Sequence, residues 1–443
     1  VAGTILANFT NGVLYFYGNL VAYMDSYFVV ACGSKCDDMS SSSILSLYVV
    51  FQTIGMLCAR PLVAKLGLFA SFVSALLLAD IGYFLSYFSV QSSVAATVAT
   101  LGAMAGLGHG AALALSLFYV TVMMPEHAGV LYACVSSSST LGSVIVNQLI
   151  TYYINPANEK VDESYGMGIY FSDADVLSHV PSVFLLLGTL SVGFHIAAVV
   201  FLKVSSVGNT FQEAQVTKQT NYATFEANNE HERYIEYHAV QLEKPTPEIP
   251  ECTNESVSSD LPSGAKHNPD YTPVAMLRER RFYIIWASLA ALQYGFLQKN
   301  NYYKIMAEVW IDDDQFLTTV GTVWPLFVLP SRLLFGRLLD RRITTIKDAI
   351  VIALGPNSFF LVLWYFTPST SRWLYTFWTF CLTVFQSAIY VTYPMTVLKL
   401  YGITHYNTNL GLIGTAMMLA SLISPTLNEV LLQSGGWFWL FFT

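Results

Sequence analysis

The sequence predicts an all-α membrane protein with a 6+6 arrangement of transmembrane helices in two pseudo-symmetric bundles, the last helix being truncated. Composition is the first reason. Of the 443 residues, 54% are hydrophobic and only 11% are charged, and the mean hydropathy is +0.49. A soluble domain has about 25% charged residues. A surface this poor in polar side chains has to face lipid, and the apolar residues do occur in runs of roughly 20, enough to cross a bilayer.

Six apolar runs precede a polar segment and five follow it. They cover residues 3–30, 42–59, 66–88, 94–122, 129–154 and 181–202, then 282–298, 316–335, 346–366, 373–397 and 409–432. Residues 436–443 are predicted to begin a twelfth helix, so both chain ends look cut. We number these runs spans 1 to 12. They divide the chain into a first bundle (1–202), a linker (203–281) and a second bundle (282–443).

The charges in the loops predict the orientation. With residue 1 in the cytoplasm, the inner loops contain Arg60, Lys65 and the basic cluster from Arg337 to Lys347, whereas the outer loops are mainly acidic. This arrangement satisfies the positive-inside rule. The N-terminus and the linker are therefore expected in the cytoplasm, of either the plasma membrane or an organelle membrane.

The linker is rich in Glu, Asn, Ser and Pro, as in "EKPTPEIPECTNESVSSDLPSG". A segment of this composition cannot bury enough apolar surface to fold alone, so it is predicted to be largely disordered. A flexible tether is the simpler interpretation, and a signalling segment is the alternative. Its basic end, "RERR", can contact anionic lipid at the start of span 7.

Several functions are excluded or disfavoured. The net charge is −8 and there is no basic face, so a nucleic-acid partner is not expected. No metal-ligand pair occurs at helical spacing and no nucleophile has an obvious base, so neither an enzyme nor a cofactor is expected. Cys32 and Cys36 share one short loop and could pair in an oxidising compartment. The sequence does not indicate a protein partner.

Both halves have a related motif between their second and third spans. The second half reads "PSRLLFGRLLDRRI" and places Gly336, Asp340 and Arg341 in the pattern G-x-L-x-D-R. The first half reads "GMLCARPLVAKLG", in which Lys65 is retained and Ala64 stands where the Asp belongs. The motif resembles the cytoplasmic signature of the major facilitator superfamily. A glycine allows two helices to approach closely, and the Asp can cap a helix or pair with Arg. The resemblance implies a conformational gate formed by Gly336, Asp340, Arg341 and Lys65.

Three further stretches resemble the oxalate/formate antiporters and monocarboxylate transporters of that superfamily. They are "GLGHGAALALSLFYVTVMMPEHAGVLYACVSSSSTLGS", "YTPVAMLRERRFYIIW" and "SRLLFG". The resemblance implies a secondary transporter of a small monocarboxylate or related organic anion, working by alternating access. The sequence departs from the pattern at Val328, where proton-coupled relatives have Asp, and it has no Lys in span 1 or span 11. The run "GLGHG" could cradle a phosphate only after a strand, so close helix packing is the better explanation.

Arg332 is the main candidate for substrate binding. A charge in the hydrocarbon costs at least about 2.5–3.5 kcal/mol, so it usually faces a cavity on a substrate path. The planar guanidinium matches a carboxylate, and the resemblance also implies this role. Snorkelling or structural pairing is the alternative. Other polar side chains could line the same cavity or simply form interhelical hydrogen bonds, namely Tyr15, Asn19, Gln293, Tyr294, Gln386 and Tyr390.

Proton coupling needs a group that titrates. His109 in span 4 and Asp80 in span 3 are the candidates, although either could be a structural residue. Lys299 is interpreted as an interface residue at the outer end of span 7. One central cation would suit a monocarboxylate better than oxalate. A carrier of another small organic solute, or a non-transporting receptor on the same fold, remains an alternative.

Overall fold

A computed structural model describes residues 1–33, 36, 41–157, 159, 163–165, 168–204, 270–308, 310–311 and 314–442. The chain from Val1 to Ser205 and from Asp270 to Thr443 forms one compact unit. Residues 205–269, which are most of the predicted linker, lie outside the described residues. We call the side that holds the ends of spans 8 and 10 the inner face, following the predicted orientation.

The first half contains six helical spans. Span 1 consists of helices Ala2–Asn8 and Val13–Ser26 and a π-helical segment, Tyr27–Cys32. Spans 2 to 6 are Ser42–Leu66, Leu68–Ser89, Val94–Met123, Ala128–Ile154 and Ala174–Val204. A 3₁₀ turn, Pro125–His127, connects spans 4 and 5. Strands Glu163–Tyr165 and Gly168–Tyr170 form an antiparallel hairpin before span 6, with Ser164 opposite Ile169.

The second half begins with a short helix, Pro273–Arg278, followed by span 7, Arg280–Glu308. Span 8 is Asp314–Val323, a 3₁₀ turn Trp324–Phe327 and Val328–Asp340. Span 9 is Ile346–Trp364, and a turn, Thr367–Thr370, leads to span 10, Arg372–Ser387 with Ile389–Tyr401. A final helical stretch, Tyr406–Phe442, is interrupted at Gly436, where φ is 70°, and so divides into span 11 and the start of span 12.

The predicted membrane fold of helical spans is confirmed, with one short hairpin before span 6. Eight helical stretches among the described residues are long and apolar enough to cross a membrane. Each half has its own apolar core, around Phe16, Leu20 and Phe184 in the first and around Trp364 and Tyr375 in the second.

Three predicted boundaries are wrong by seven or more residues. Span 2 continues to Leu66 rather than ending at 59. Span 6 begins at Ala174 rather than at Pro181, because Asp173 caps the helix by accepting from the backbone N–H of Asp175 and Val176 at 2.9 and 3.0 Å. Span 7 continues to Glu308, ten residues past its predicted end at 298. Gln298 and Lys299, at the predicted end, are buried instead of marking the membrane surface.

The end of the predicted linker is folded against the second half. The backbone N–H of Tyr271 donates to the carbonyl of Tyr401 at 3.0 Å, and the hydroxyl of Thr404 donates to Asp270 at 2.6 Å. Residues 270–278 therefore contact the inner end of span 10 and the turn that follows it.

Span 1 is broken at residues 9–12, which the sequence did not predict. Glycines make room for the break. A Cβ on Gly142 of span 5 would lie 1.8 Å from the carbonyl oxygen of Phe9, and one on Gly12 would lie 2.6 Å from that of Ser139. The break therefore packs directly against span 5. It also carries Thr10 and Asn11, whose side chains bond to other spans of the first bundle.

The glycines of "GLGHG" are packing residues. Cβ atoms on Gly106 and Gly110 would lie 2.7 and 1.8 Å from the carbonyl oxygens of Tyr48 and Gln52 in span 2. Span 4 and span 2 therefore meet backbone to backbone, as the sequence predicted.

Cys32, the last residue of span 1, forms a disulfide with Cys36. This is the pair that the sequence indicated for an oxidising compartment.

Candidate functional site

Arg332 is buried, with 1% of its surface exposed, and it connects the two halves of the chain. Its Nη2 donates to the Tyr15 hydroxyl at 2.8 Å. Its Nη1 donates to the carbonyl of Ser136 and to Thr140 Oγ1, the latter at 3.4 Å. Its Nε donates to the carbonyl of Ser387 at 3.3 Å. Three of these four partners belong to the first half, so Arg332 is not snorkelling to the membrane surface.

Aromatic rings surround the guanidinium. Arg332 Cζ lies 4.4 Å from the centroid of the Tyr390 ring. Phe296 of span 7 makes edge contacts with Tyr390 and Tyr15, with centroids 6.3 and 5.7 Å apart, and Trp324 lies 6.0 Å from Tyr15. We call Tyr15, Phe296, Trp324 and Tyr390 the aromatic box. Ring faces attract cations, so the box favours positive charge at this site.

Lys299 is a second buried cation beside the same box. It is 1% exposed, and its Nζ lies 3.6 Å from the Trp324 ring centroid and 5.9 Å from that of Phe296. Nζ also donates to Thr383 Oγ1 at 2.9 Å. The prediction that Lys299 lies at the membrane interface is wrong, because span 7 is longer than its hydropathy indicates. No sequence pattern linked Lys299 to Arg332.

Neither cation has a carboxylate partner within the described part of the chain. The ion pairs found there are Asp80 with His195 and Asp175 with His179. A buried charge without a counter-ion is costly. The two cations beside the box can therefore pair with one or two negative groups of a ligand.

A cavity of about 50 Å³ adjoins this site between the two halves. Ser136 and Tyr390, which both contact Arg332, form part of its wall, and Gln52, Met56 and Met417 form other parts. Most of its lining is apolar.

The polar residues predicted in spans 1, 7 and 10 divide into two groups. Gln293 is fully buried, and among the described residues neither of its amide atoms has a hydrogen-bond partner. Gln386 donates to the carbonyl of Gly295 at 3.0 Å, and its Oε1 likewise lacks a described partner. These two amides retain free hydrogen-bonding capacity next to span 7.

Asn19 and Tyr294 are placed in helix–helix contacts instead. Asn19 donates to Thr151 Oγ1 at 2.8 Å, and the Tyr294 hydroxyl donates to Asn428 Oδ1 at 3.0 Å. The structure thus brings Tyr15 and Tyr390 to Arg332, but it does not bring Asn19 or Tyr294 there.

His109 lies in a polar cluster in the first half. It is fully buried, and its Nδ1 lies 2.8 Å from the Tyr48 hydroxyl. That hydroxyl donates to Asn11 Oδ1 at 2.9 Å, and Gln52 donates to the same oxygen at 3.4 Å. His109 Nε2 has no partner among the described residues.

Asp80 is paired with a histidine that the sequence reasoning missed. Asp80 Oδ1 lies 2.8 Å from His195 Nδ1, and Ser191 Oγ donates to the same oxygen at 2.7 Å. His195 Nε2 lies 3.1 Å from Thr10 Oγ1 in the break of span 1. A histidine inside the apolar run of span 6 was visible in the sequence, but its partner is 115 positions away.

Two of the predicted gate residues, Gly336 and Asp340, meet span 5 at the inner face. Asp340 Oδ1 and Oδ2 accept from the backbone N–H groups of Gly129 and Val130 at 2.8 and 2.9 Å. A Cβ on Gly336 would lie 2.4 Å from the Gly129 carbonyl oxygen, so the two backbones touch. Asp340 therefore caps a helix of the other half.

The other two predicted gate residues do not join this contact. Arg341 and Lys65 are exposed, and within the described residues neither forms an ion pair with Asp340. Arg60 instead bonds to His405, and the rings of Tyr132 and Tyr406 stack with centroids 6.3 Å apart. These contacts also join the two halves towards the inner face.

The sequence profile of the Major Facilitator Superfamily matches residues 16–425. The chain belongs to this superfamily. It is a multi-pass membrane protein of a transporter family and not an enzyme.

Solved structures of the superfamily have the same fold. The proton:xylose symporter XylE bound to 6-bromo-6-deoxy-D-glucose is 14% identical with a TM-score of 0.64, over 99% of this chain and 92% of that one. XylE from E. coli in a partially occluded inward-open conformation is 12% identical with a TM-score of 0.61, over 100% of this chain and 95% of that one. A variant of the E. coli fucose:proton symporter FucP is 14% identical with a TM-score of 0.56, over 99% of this chain and 92% of that one. At these identities the similarity shows the fold alone. No curated protein sequence matches the chain.

Proposed function

We propose that this protein is a secondary transporter that carries a small organic anion, a monocarboxylate in the first instance, by alternating access. One observation supports this more than any other. Arg332 and Lys299 are both buried beside the same aromatic box, and neither has a carboxylate partner in the described chain. An anionic substrate would supply the missing negative charge.

The contacts of Arg332 suggest how the substrate is held. Three of its partners, Tyr15, Ser136 and Thr140, lie in the first half, and Ser387 lies in the second. Rocking of the two halves would separate the guanidinium from the first three. A carboxylate can replace them with a bidentate, charge-assisted pair. The contact of Asp340 with span 5 would then act as the inner gate, in an orientation with the N-terminus in the cytoplasm.

Lys299 widens the range of candidate anions. The preference for a monocarboxylate over oxalate depended on a single central cation, and the box has two cations beside it. A small oxo acid or a short dicarboxylate could use both. We therefore propose a substrate from the range of the whole oxalate/formate and monocarboxylate branch, and not from monocarboxylates alone.

A neutral solute such as a sugar is the second candidate. Two observations favour it: the amide of Gln293, which has no hydrogen-bond partner among the described residues, and the aromatic rings, which suit hydroxyl groups and ring faces. The structural neighbours XylE and FucP are described as xylose and fucose symporters.

Uptake by the full-length protein in liposomes tests the proposal. We would measure the uptake of radiolabelled formate, lactate, pyruvate, oxalate and xylose. The proteins compared are wild type, Arg332→Gln and the control Arg372→Gln, which replaces an exposed arginine on span 10. A hydrogen bond to a charged group contributes about 1.5–3 kcal/mol. Saturable carboxylate uptake should therefore fall at least about tenfold in Arg332→Gln, at about 1.4 kcal/mol per tenfold.

The control should transport like wild type, and all three proteins should unfold at similar temperatures. Uptake of xylose without uptake of any carboxylate would contradict the anion proposal. Carboxylate uptake that survives Arg332→Gln would mean that the arginine is structural.

A further inference from the structure

We propose that the buried Asp80–His195 pair is the site at which this transporter binds and releases a coupling proton. The inference rests on the proposed transport function, but it does not depend on the substrate being an anion. It places proton coupling in the first half of the chain, whereas both buried cations lie in the second.

The pair is a built site between spans 3 and 6. Asp80 is 5% exposed and His195 is 3% exposed, and both lie within membrane-spanning helices. Asp80 Oδ1 receives bonds from Ser191 Oγ and His195 Nδ1, at 2.7 and 2.8 Å. Acidic residues inside membrane spans are rare and commonly mark ion or proton pathways.

The net charge of the Asp80–His195 pair depends only on whether the pair holds the proton. Span 3 packs against spans 2, 4 and 6, and span 6 also packs against spans 1 and 5. The titratable groups near the pair are Tyr83 of span 3, which donates to the carbonyl of Thr10 at 3.2 Å, and His109 of span 4, whose ring lies 5.7 Å from that of Tyr83. Span 2 supplies Tyr48, bonded to His109. No lysine or arginine in the described chain forms an ion pair with Asp80.

Gain of one proton changes one hydrogen bond at the break in span 1. With His195 protonated, Nδ1–H donates to Asp80 and Nε2–H donates to Thr10 Oγ1, and the pair is neutral overall. After the proton leaves Nε2, that nitrogen becomes an acceptor, so the Thr10 hydroxyl must turn to donate to it. The pair then has a charge of −1. Proton transfer therefore reverses the bond between His195 and Thr10.

That bond lies on the helix that also contacts the substrate site. Thr10 is in the break at residues 9–12, and Tyr15, in the first turn of the helix after the break, bonds to Arg332. Span 1 is not helical at the break, so its backbone there can respond to a change at Thr10. The structure thus links the proton site to Arg332 through a single span.

His109 is a weaker candidate for the same role. It has no carboxylate partner in the described chain, so a proton added at Nε2 would create an unpaired buried cation. A proton added to the Asp80–His195 pair removes a buried charge instead.

The test separates proton-driven uptake from exchange. Full-length protein in liposomes would be assayed for uptake driven by an inward proton gradient, and for exchange of labelled against unlabelled substrate at equal pH. A trapped pH dye would report proton entry. The substrates are lactate, oxalate and xylose. The variants are Asp80→Asn and His195→Gln, and the control is His179→Gln, a partly exposed histidine that pairs with Asp175 on the same span.

We expect both pair variants to lose gradient stimulation and proton entry, at least tenfold, while exchange stays within twofold of wild type. His179→Gln should behave like wild type in both assays. Gradient-driven uptake that survives in the pair variants, or wild-type uptake without proton entry, would overturn the proposal. So would loss of exchange in variants that unfold at the wild-type temperature.

These outcomes are distinct from those of the anion proposal. If xylose alone drives proton entry through Asp80 and His195, the proton site stands and the anion proposal fails. If carboxylate uptake needs Arg332 but shows no proton entry, the anion proposal stands and the proton site fails.

Discussion

Replacement of Asp340 by Ala should shift the protein towards a state that is open at the inner face. Asp340 accepts two backbone hydrogen bonds from the start of span 5, at 2.8 and 2.9 Å, and both cross between the halves. A hydrogen bond to a charged group contributes about 1.5–3 kcal/mol. Water would solvate the separated groups in the open state, so we take the lower end, about 3 kcal/mol for two bonds. At about 1.4 kcal/mol per tenfold, the ratio of closed to open molecules should fall about 100-fold.

Spin labels across the inner face would measure this ratio. Lys65→Cys and Arg341→Cys place one label on each half, at exposed positions. The cysteines outside the disulfide would be replaced by Ser. A larger fraction of Asp340→Ala molecules than of parent molecules should show the longer label-to-label distance.

The matched control is Asp348→Ala. Asp348 is also an acidic residue near the inner face, but it bonds to Thr345 at the start of its own helix and does not cross between the halves. The Asp348→Ala variant should leave the distribution of label-to-label distances unchanged. An unchanged distribution in Asp340→Ala as well would refute the reasoning, because the two backbone bonds would then not hold the halves together.

Two further predictions concern the substrate site and the helix packing. Lys299→Gln should raise the KM for the transported anion at least about tenfold, since it keeps a donor for Thr383 but removes one charge. Uptake kinetics with an unchanged KM would exclude Lys299 from binding. Gly110→Ala should destabilise the protein by about 3 kcal/mol, because its Cβ would lie 1.8 Å from the Gln52 carbonyl oxygen. Gly355→Ala meets nothing within 4 Å and should leave Tm unchanged or raise it, so a similar loss in both variants would contradict the packing argument.

The number and order of the spans could be predicted because hydropathy along the chain reflects a constraint that acts on each segment separately. A helix that crosses the bilayer satisfies its own backbone, whatever lies beside it. The same reasoning failed at the end of span 7. Lys299 lowers the local hydropathy there, yet it is covered by Trp324 and Thr383 from other spans.

The break in span 1 and the partner of Asp80 depend on tertiary contacts. No proline marks the break, and it exists where Gly142 of span 5 admits the carbonyl of Phe9. His195 reaches Asp80 from span 6, 115 positions along the chain. Arg332 differs from these cases, because an arginine in an apolar run is itself a signal that burial must be compensated.

The partners of Arg332 explain why an empty carrier of this design would resist changing conformation. Tyr15, Ser136 and Thr140 all lie on the first half, so any movement that opens the interface leaves the guanidinium with its bond to Ser387 and its contact with Tyr390. Early in that movement, before water reaches the guanidinium, a buried cation that has lost three acceptors is strongly disfavoured. A bound carboxylate would move with Arg332 and keep it paired throughout. In the proposed mechanism, the substrate therefore lowers the barrier to the conformational change that transports it.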